Sequence, residues 1–336
     1  MKPRSTALRA PYGRDAKYAP AASAGAPVTT YYGQPQLKRS HWGVRVALYI
    51  FIAGLSGAAQ MIAAAADLAG GESCRGTVRR GRHIALLAVA VGPPLLIADL
   101  HTPQRFYNML RIFRRTSPMS IGTYVLSSFS LFSIVTAFAQ LMAERNGGGW
   151  NRLARTAQLP AALAGAGMTT YTAALLAATS TPLWAAAPRA LGVQFAGSAI
   201  AAAAGALQLA GRIDGDDGAA AALDGLALAA AATELVGALA AERQCRRAGI
   251  GDALALHRPW GALHQLGAVG LGAAVPVAVH AGKLAGRRPR PRLMLTAALA
   301  VLAGSFALRL SVLGAGNDSA ERPQQSLGFA SGRNRR

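Results

Sequence analysis

The chain has 336 residues, of which 52% are hydrophobic and only 15% charged, yet its formal net charge is +21. A mean hydropathy of +0.27 and long uncharged runs exclude an ordinary soluble domain, in which about a quarter of the residues carry charge. The basic residues cluster in short loops between those runs, the pattern that holds membrane topology and meets anionic lipid headgroups. No zinc-finger, helix-turn-helix or RNP pattern accompanies them, so membrane lipid is the expected partner and nucleic acid is not.

Residues 1–43 read as a polar, basic arm rich in Pro, Gly and Ala. They hold no apolar h-region, so no cleavable signal peptide is expected and the first hydrophobic segment would direct insertion. Eight apolar runs follow, near 44–70, 83–100, 119–143, 157–180, 186–211, 219–241, 262–285 and 293–314. Each approaches the roughly 20 residues needed to cross the hydrocarbon layer as a helix. The expected fold is an all-α integral membrane bundle of about eight transmembrane helices, occupying residues 44–314. Residues 315–336 read as a polar, extended C-terminal tail. Eight spans put both termini on one side, but basic residues are divided between the two sets of loops and leave the orientation open.

Between the second and third spans, Pro103 ends one helix and Pro118 starts the next. Phe106, Met109, Leu110 and Phe113 lie three or four residues apart, the spacing of a short amphipathic helix in the interface. Alanine and glycine crowd the fifth and sixth spans (AGSAIAAAAGALQLAG, DGLALAAAATELVGALAA). Small residues let helices approach closely in lipid, so tight packing is expected rather than an alanine-lined cavity.

Ionisable groups inside spans are costly and therefore candidates for function. Asp224 and Glu234 stand ten residues apart in the sixth span, within roughly 80° around the helix axis. They read either as a proton path with Arg309, or as a wet Asp224 beside a Glu234–Arg309 pair. His264 and His280 lie on one helix about 24 Å apart along its axis, too far to share an iron. The other histidines, His41, His83, His101 and His257, lie in or beside loops, so a bis-histidine haem is not expected. His264 reads as an interfacial residue and His280 as a polar packing group. Cys74 and Cys245 cannot supply the four thiolates of an iron–sulfur cluster. No GxSxG, HExxH, GxxxxGK[ST] or GxGxxG pattern is present in a fitting context, so the chain alone is not expected to be catalytic.

The stretch DLHTPQRFYNMLRIFRRTSPMSIGTYVLSSF at 99–129 resembles the signature DLGRPxRFxNMLRVFxPTSPMSxGSW of the NrfD family, membrane subunits of polysulfide reductase and related molybdoenzyme complexes. Four further motifs stand in the family's order: YYGQP at 31–35, YIFIAGLSGA at 49–58, YTAALLAATSTPLW at 171–184 and LRLSVLGAGNDSAERP at 308–323. His101 and Thr102 depart from the usual Gly-Arg.

The resemblance implies a haem-free, cluster-free bundle of eight or ten helices in the bacterial plasma membrane. It implies a quinone (menaquinone or ubiquinone) bound near the face where a four-cluster ferredoxin-like iron–sulfur subunit docks. A molybdopterin catalytic subunit would lie beyond. Under it, Tyr171 faces the quinone. Tyr49 either does the same or belongs to an aromatic belt. Asp99 either serves the quinone and its protons, or caps a turn or pairs with Arg105. Arg105, Arg111, Arg114 and Arg115 would dock the iron–sulfur partner. The competing classes are a secondary transporter using the sixth-span charges and a purely structural anchor.

Overall fold

The computed structural model describes Pro35 and residues 37–100, 102–216, 218–287 and 290–330. Most of the arm, the YYGQP motif up to Gln34, His101 and residues 331–336 lie outside the described residues. The described chain is helical without strands, and eight of its helices are long and apolar enough to cross a membrane. It is an all-α multi-pass membrane bundle, as the apolar runs indicate.

The helices are α1 Val44–Ala69, α2 Arg75–Asp99, α3 Tyr107–Arg111, α4 Pro118–Asn146, α5 Trp150–Ala177 and α6 Pro182–Ala186. They continue with α7 Pro188–Asp214, α8 Ala220–Arg247 and α9 Pro259–Ala262, then a π-helical segment Leu263–Ala274. The last are α10 Val275–Leu284, α11 Pro291–Ala320 and α12 Pro323–Ala330. Proline occupies the first turn of α4, α6, α7, α9 and α11, where its missing N–H donor costs nothing.

Two four-helix units lie side by side. The first comprises α1, α2, α4 and α5, and the second comprises α7, α8, the π–α10 span and α11. α1 is the shared wall, packing on α2 and α5 within its unit and on α7 and α11 across the boundary. Gly57 of α1 and Gly165 of α5 meet backbone to backbone, so a β-carbon at either would strike the other's carbonyl. Between the units, Ala58, Ala59, Ala199, Ala201, Ala202, Ala203, Ala230 and Ala231 form one buried cluster. The small side chains produce close helix packing and not an open cavity.

Several helices run past the limits set by the apolar runs. α2 begins at Arg75 and carries Arg79, Arg80 and Arg82 in its first turns. Arg80 reaches Asp214 at 3.3 Å and Asp216 at 3.0 Å, which holds the positive charge inside the bundle end. The segment after Gly314, expected to be extended, instead continues α11 to Ala320 and adds α12. Asn317 explains this: its side-chain oxygen accepts from Ser40 N at 3.0 Å and Ser40 Oγ at 2.9 Å. With Arg39 bound to Glu321 at 3.3 Å, both terminal segments are laced together on one face, here called the arm face.

Candidate functional site

A cavity of about 520 Å³ opens on the arm face between α1, α2, α4 and α5. Its walls are mainly aliphatic and aromatic, and Tyr49, Asp99 and Tyr171 all line it. Three residues from three helices, separated by as many as 122 positions in sequence, therefore share one space. Pro93, one of two prolines inside α2, lies in the wall, where the helix lacks N–H donors.

Tyr171 leans across α4 at Gly122, and a β-carbon there would overlap the phenol ring. Tyr49 is buried, with only 6% of its surface exposed, so it belongs to the pocket and not to an aromatic belt. Its side chain and that of Tyr171 line the same cavity. Asp99, at the end of α2, does not pair with Arg105. Its Oδ2 lies 3.5 Å from His41 Nε2, and His41 also lines the cavity.

The connection between α2 and α4 forms the outer wall through Phe106, Met109 and Leu110. Its helix is shorter than the apolar spacing suggests, because α3 stops at Arg111 and Ile112 turns extended. Side chains of α4 then hold the end of α3 and the stretch of chain that follows. Tyr124 Oη donates to Leu110 O at 2.9 Å, Ser120 Oγ donates to Ile112 O at 3.2 Å, and Phe113 packs edge-on to Tyr124. Arg105, Arg111, Arg114 and Arg115 are all exposed, and none forms an ion pair among the described residues. Exposed Tyr107, Ile112 and Phe113 lie among them.

Trp42 completes the rim, and no local sequence signal marks it. It stacks on Trp184 at 5.7 Å between ring centres, and Trp184 Nε1 donates to Val312 O at 2.8 Å. The nearby loop between α8 and α9 is organised by Asp252, which meets His257 at 3.0 Å, Arg258 at 2.9 Å and Arg322 at 2.7 Å. The hydrogen bond from Arg258 and the surrounding positive charge hold the Asp252 carboxyl below its ordinary range.

The sixth-span acids fall into two separate clusters of the second unit. Arg309 is buried and donates to Ser198 Oγ at 2.6 Å, Ser305 Oγ at 2.7 Å, Ser305 O at 2.9 Å and Phe195 O at 3.0 Å. Its guanidinium also lies 5.0 Å from the Phe195 ring centre. Glu234 faces inward and feels Arg309, but no direct ion pair joins them among the described residues. Ser198 stands between. Asp224 is not wet: it is 3% exposed, bonded by Gln208 at 2.9 Å, by Lys283, and approached by His280 Nδ1 at 3.3 Å. His264 is likewise buried and not interfacial, 3.5 Å from Gln194. The Asp224 cluster and the Glu234–Arg309 cluster share no hydrogen-bond partner among the groups named here.

Comparison with known proteins adds a family and one curated relative. The family described as Polysulphide reductase, NrfD matches residues 34–318. The C subunit of polysulfide reductase from Wolinella succinogenes is 37% identical over 101 residues, covering 29% of this chain and 31% of that protein. The aligned part therefore spans about a third of the curated relative.

Proposed function

We propose a function from one premise: the chain belongs to the NrfD (polysulphide reductase) family. It is the quinone-reactive membrane subunit of a multi-subunit oxidoreductase in a bacterial plasma membrane. It passes electrons between the quinone pool and a four-cluster iron–sulfur subunit, while a molybdopterin subunit carries the substrate chemistry.

The observation that carries this reading is the arm-face cavity. Quinone recognition needs an apolar slot and hydrogen-bond donors at the carbonyls, and the cavity supplies both. Tyr49 and Tyr171 offer phenolic donors, and the Asp99–His41 pair offers a proton-exchanging group at the rim. Reduction of a quinone to its quinol takes two electrons, which come from the partner's clusters, and two protons, which pass through these groups. The exposed arginines and aromatic residues of the 103–115 connection flank the same cavity. A partner seated there brings its terminal cluster beside the quinone.

The test is quinone-dependent turnover of the complex with Tyr171→Phe and Asp99→Asn. Each is expected to lower the rate by about tenfold or more while the complex stays assembled. Unchanged rates in both would leave a structural anchor.

A further inference from the structure

The second unit has a cavity of its own at the face opposite the arm face, here called the far face. It measures about 280 Å³, and Arg80, Gln208, Arg212, Asp216, Asp224 and Lys283 line it. Leu207, Leu223, Met294 and Ala298 give it an apolar wall. At the far end of the first unit, buried Arg82 is met by Gln140 at 2.9 Å, Gln158 at 2.6 Å and Asp67 at 3.5 Å. Its charge is answered within the bundle. In the second-unit cavity the cations outnumber the carboxylates.

Both carboxylates are already committed. Asp216 accepts from Gly218 N at 3.1 Å and lies 3.0 Å from Arg80. Asp224 is held by Gln208, Lys283 and His280. The cations keep spare donors. Arg80 is 6% exposed, and its Nε has no partner among the described residues. Among those residues Arg212 donates only to a carbonyl, Pro291 O at 2.9 Å. Pro291 stands between Arg290 and Arg292, so three arginines share one short stretch of rim. Arg79, Arg287, Arg290 and Arg292 are exposed and form no ion pair among the described residues. Like charges gathered at the edge of a low-dielectric bundle call for a counter-anion.

The backbone adds to the same field. α8 and α11 both begin at the far face, with no acid in the first turn and no side chain capping the N-terminus. Their first N–H groups and positive helix ends therefore favour an anion. Guanidinium forks match phosphoryl oxygens in geometry, and basic pockets between membrane helices suit lipid headgroups. The neighbouring residues point to lipid in particular. Arg212, Lys283 and Arg292 are each followed by an exposed aliphatic residue, Ile213, Leu284 and Leu293 respectively. A cation with apolar surface beside it fits a phosphate that carries acyl chains.

We propose that the far-face cavity of the second unit binds the phosphate of an anionic lipid headgroup. Arg212 supplies the guanidinium fork, Arg80 offers its unpaired Nε, and Arg292 stands at the mouth. The acyl chains leave the cavity over the exposed aliphatic residues. No bond is made or broken. The lipid brackets α7, α10 and α11 where they reach the membrane surface. This site is independent of the quinone reading of the arm-face cavity. Free phosphate shares the chemistry of the headgroup, so the experiment separates the two sources.

The experiment uses the full chain, delipidated in a zwitterionic detergent and titrated with phosphatidylglycerol, phosphatidylcholine or inorganic phosphate. Native mass spectrometry counts the lipid retained, and the thermal transition reports stabilisation. Arg212→Gln keeps a donor for Pro291 O and removes the charge. Arg292→Gln breaks no ion pair in the bundle, so the comparison stands even where Arg212→Gln folds poorly. Arg243→Gln with Arg247→Gln, at the other end of α8, controls for general attraction of lipid to arginine. The parent is expected to retain and be stabilised by phosphatidylglycerol in preference to phosphatidylcholine. That affinity should fall about tenfold in Arg212→Gln, as for one lost charged hydrogen bond, and fall in Arg292→Gln, while the control matches the parent. Inorganic phosphate that displaces the lipid and stabilises equally would uphold the phosphate site and overturn lipid as its source. Equal affinity for the two lipids with no response to phosphate would overturn the site. So would a control that loses as much as Arg212→Gln.

Discussion

The ring of Tyr171 rests against the α-carbon of Gly122, with no room for a methyl group between them. Tyr171 is placed by a neighbour's lack of a side chain. Gly122→Ala is therefore expected to swing the phenol out of the cavity. The bundle should lose only about 1–3 kcal/mol, the usual effect of a small overpacking. Quinone-dependent turnover should fall as far as in Tyr171→Phe. Inhibitor displacement and thermal unfolding in detergent, measured on the same preparation, separate the two effects.

Much of the fold is legible in the chain, and the limits are instructive. The eight spans are visible because burial in lipid demands uninterrupted apolar runs. Their ends shift wherever a polar group is satisfied by tertiary contacts, as with Arg80 against Asp214 and Asp216 or Asn317 against Ser40. Arg82 looks like a loop arginine in the sequence and is a buried hub in the fold, because no local pattern announces partners on α1, α4 and α5. Tyr49 and Tyr171 stand out by resemblance, and Asp99 as an ionisable group closing a span. Their convergence requires helix pairings that periodicity cannot specify. The π-helical segment has a signal, the glycine-rich LGAVGLGAA, but only the close approach of Gly272 to Gly304 gives it meaning.

Arg309 is held by four hydrogen bonds and faces no direct carboxylate partner among the described residues. Arg309→Met would strand Glu234 as an uncompensated buried acid and leave Ser198 and Ser305 with fewer partners. A loss of about 3–5 kcal/mol is expected, typical of breaking one side of a buried charged cluster. The double variant Arg309→Met with Glu234→Gln should recover a large part of it. Thermal melts of the four members of this cycle give the coupling directly.

The exposed arginines of the α2–α4 connection make no ion pair among the described residues, so reversing their charge has little to disturb within the bundle. Arg111→Glu, Arg114→Glu and Arg115→Glu together should leave the melting transition within about 0.5 kcal/mol of the parent. Co-purification of the iron–sulfur partner should drop sharply. Full recovery of the partner would remove the docking role.

The Asp252 hub predicts a pH response at the arm face. Its carboxyl titrates below the ordinary aspartate value of 3.8 in the folded chain. Its stabilising effect is therefore complete above that value and disappears as the pH falls through the lower folded value. A fluorophore at residue 324, on α12 beyond Arg322, should report loosening of that helix only below about pH 4. Asp252→Asn should show the loosened signal at every pH and lose the transition. A transition unaltered by the substitution would assign it to another group.

The rim built from His41 and Trp42 sets an order of events during biosynthesis. These residues leave the ribosome before the eight described spans, yet Trp42 stacks on Trp184 and the adjacent Ser40 is anchored by Asn317, 277 positions later. The mouth of the cavity can take its final shape only once α11 has been inserted. A nascent chain halted before α11 would carry its two phenols in an unfinished vestibule, so competence for a lipid-soluble guest arrives with the insertion of α11.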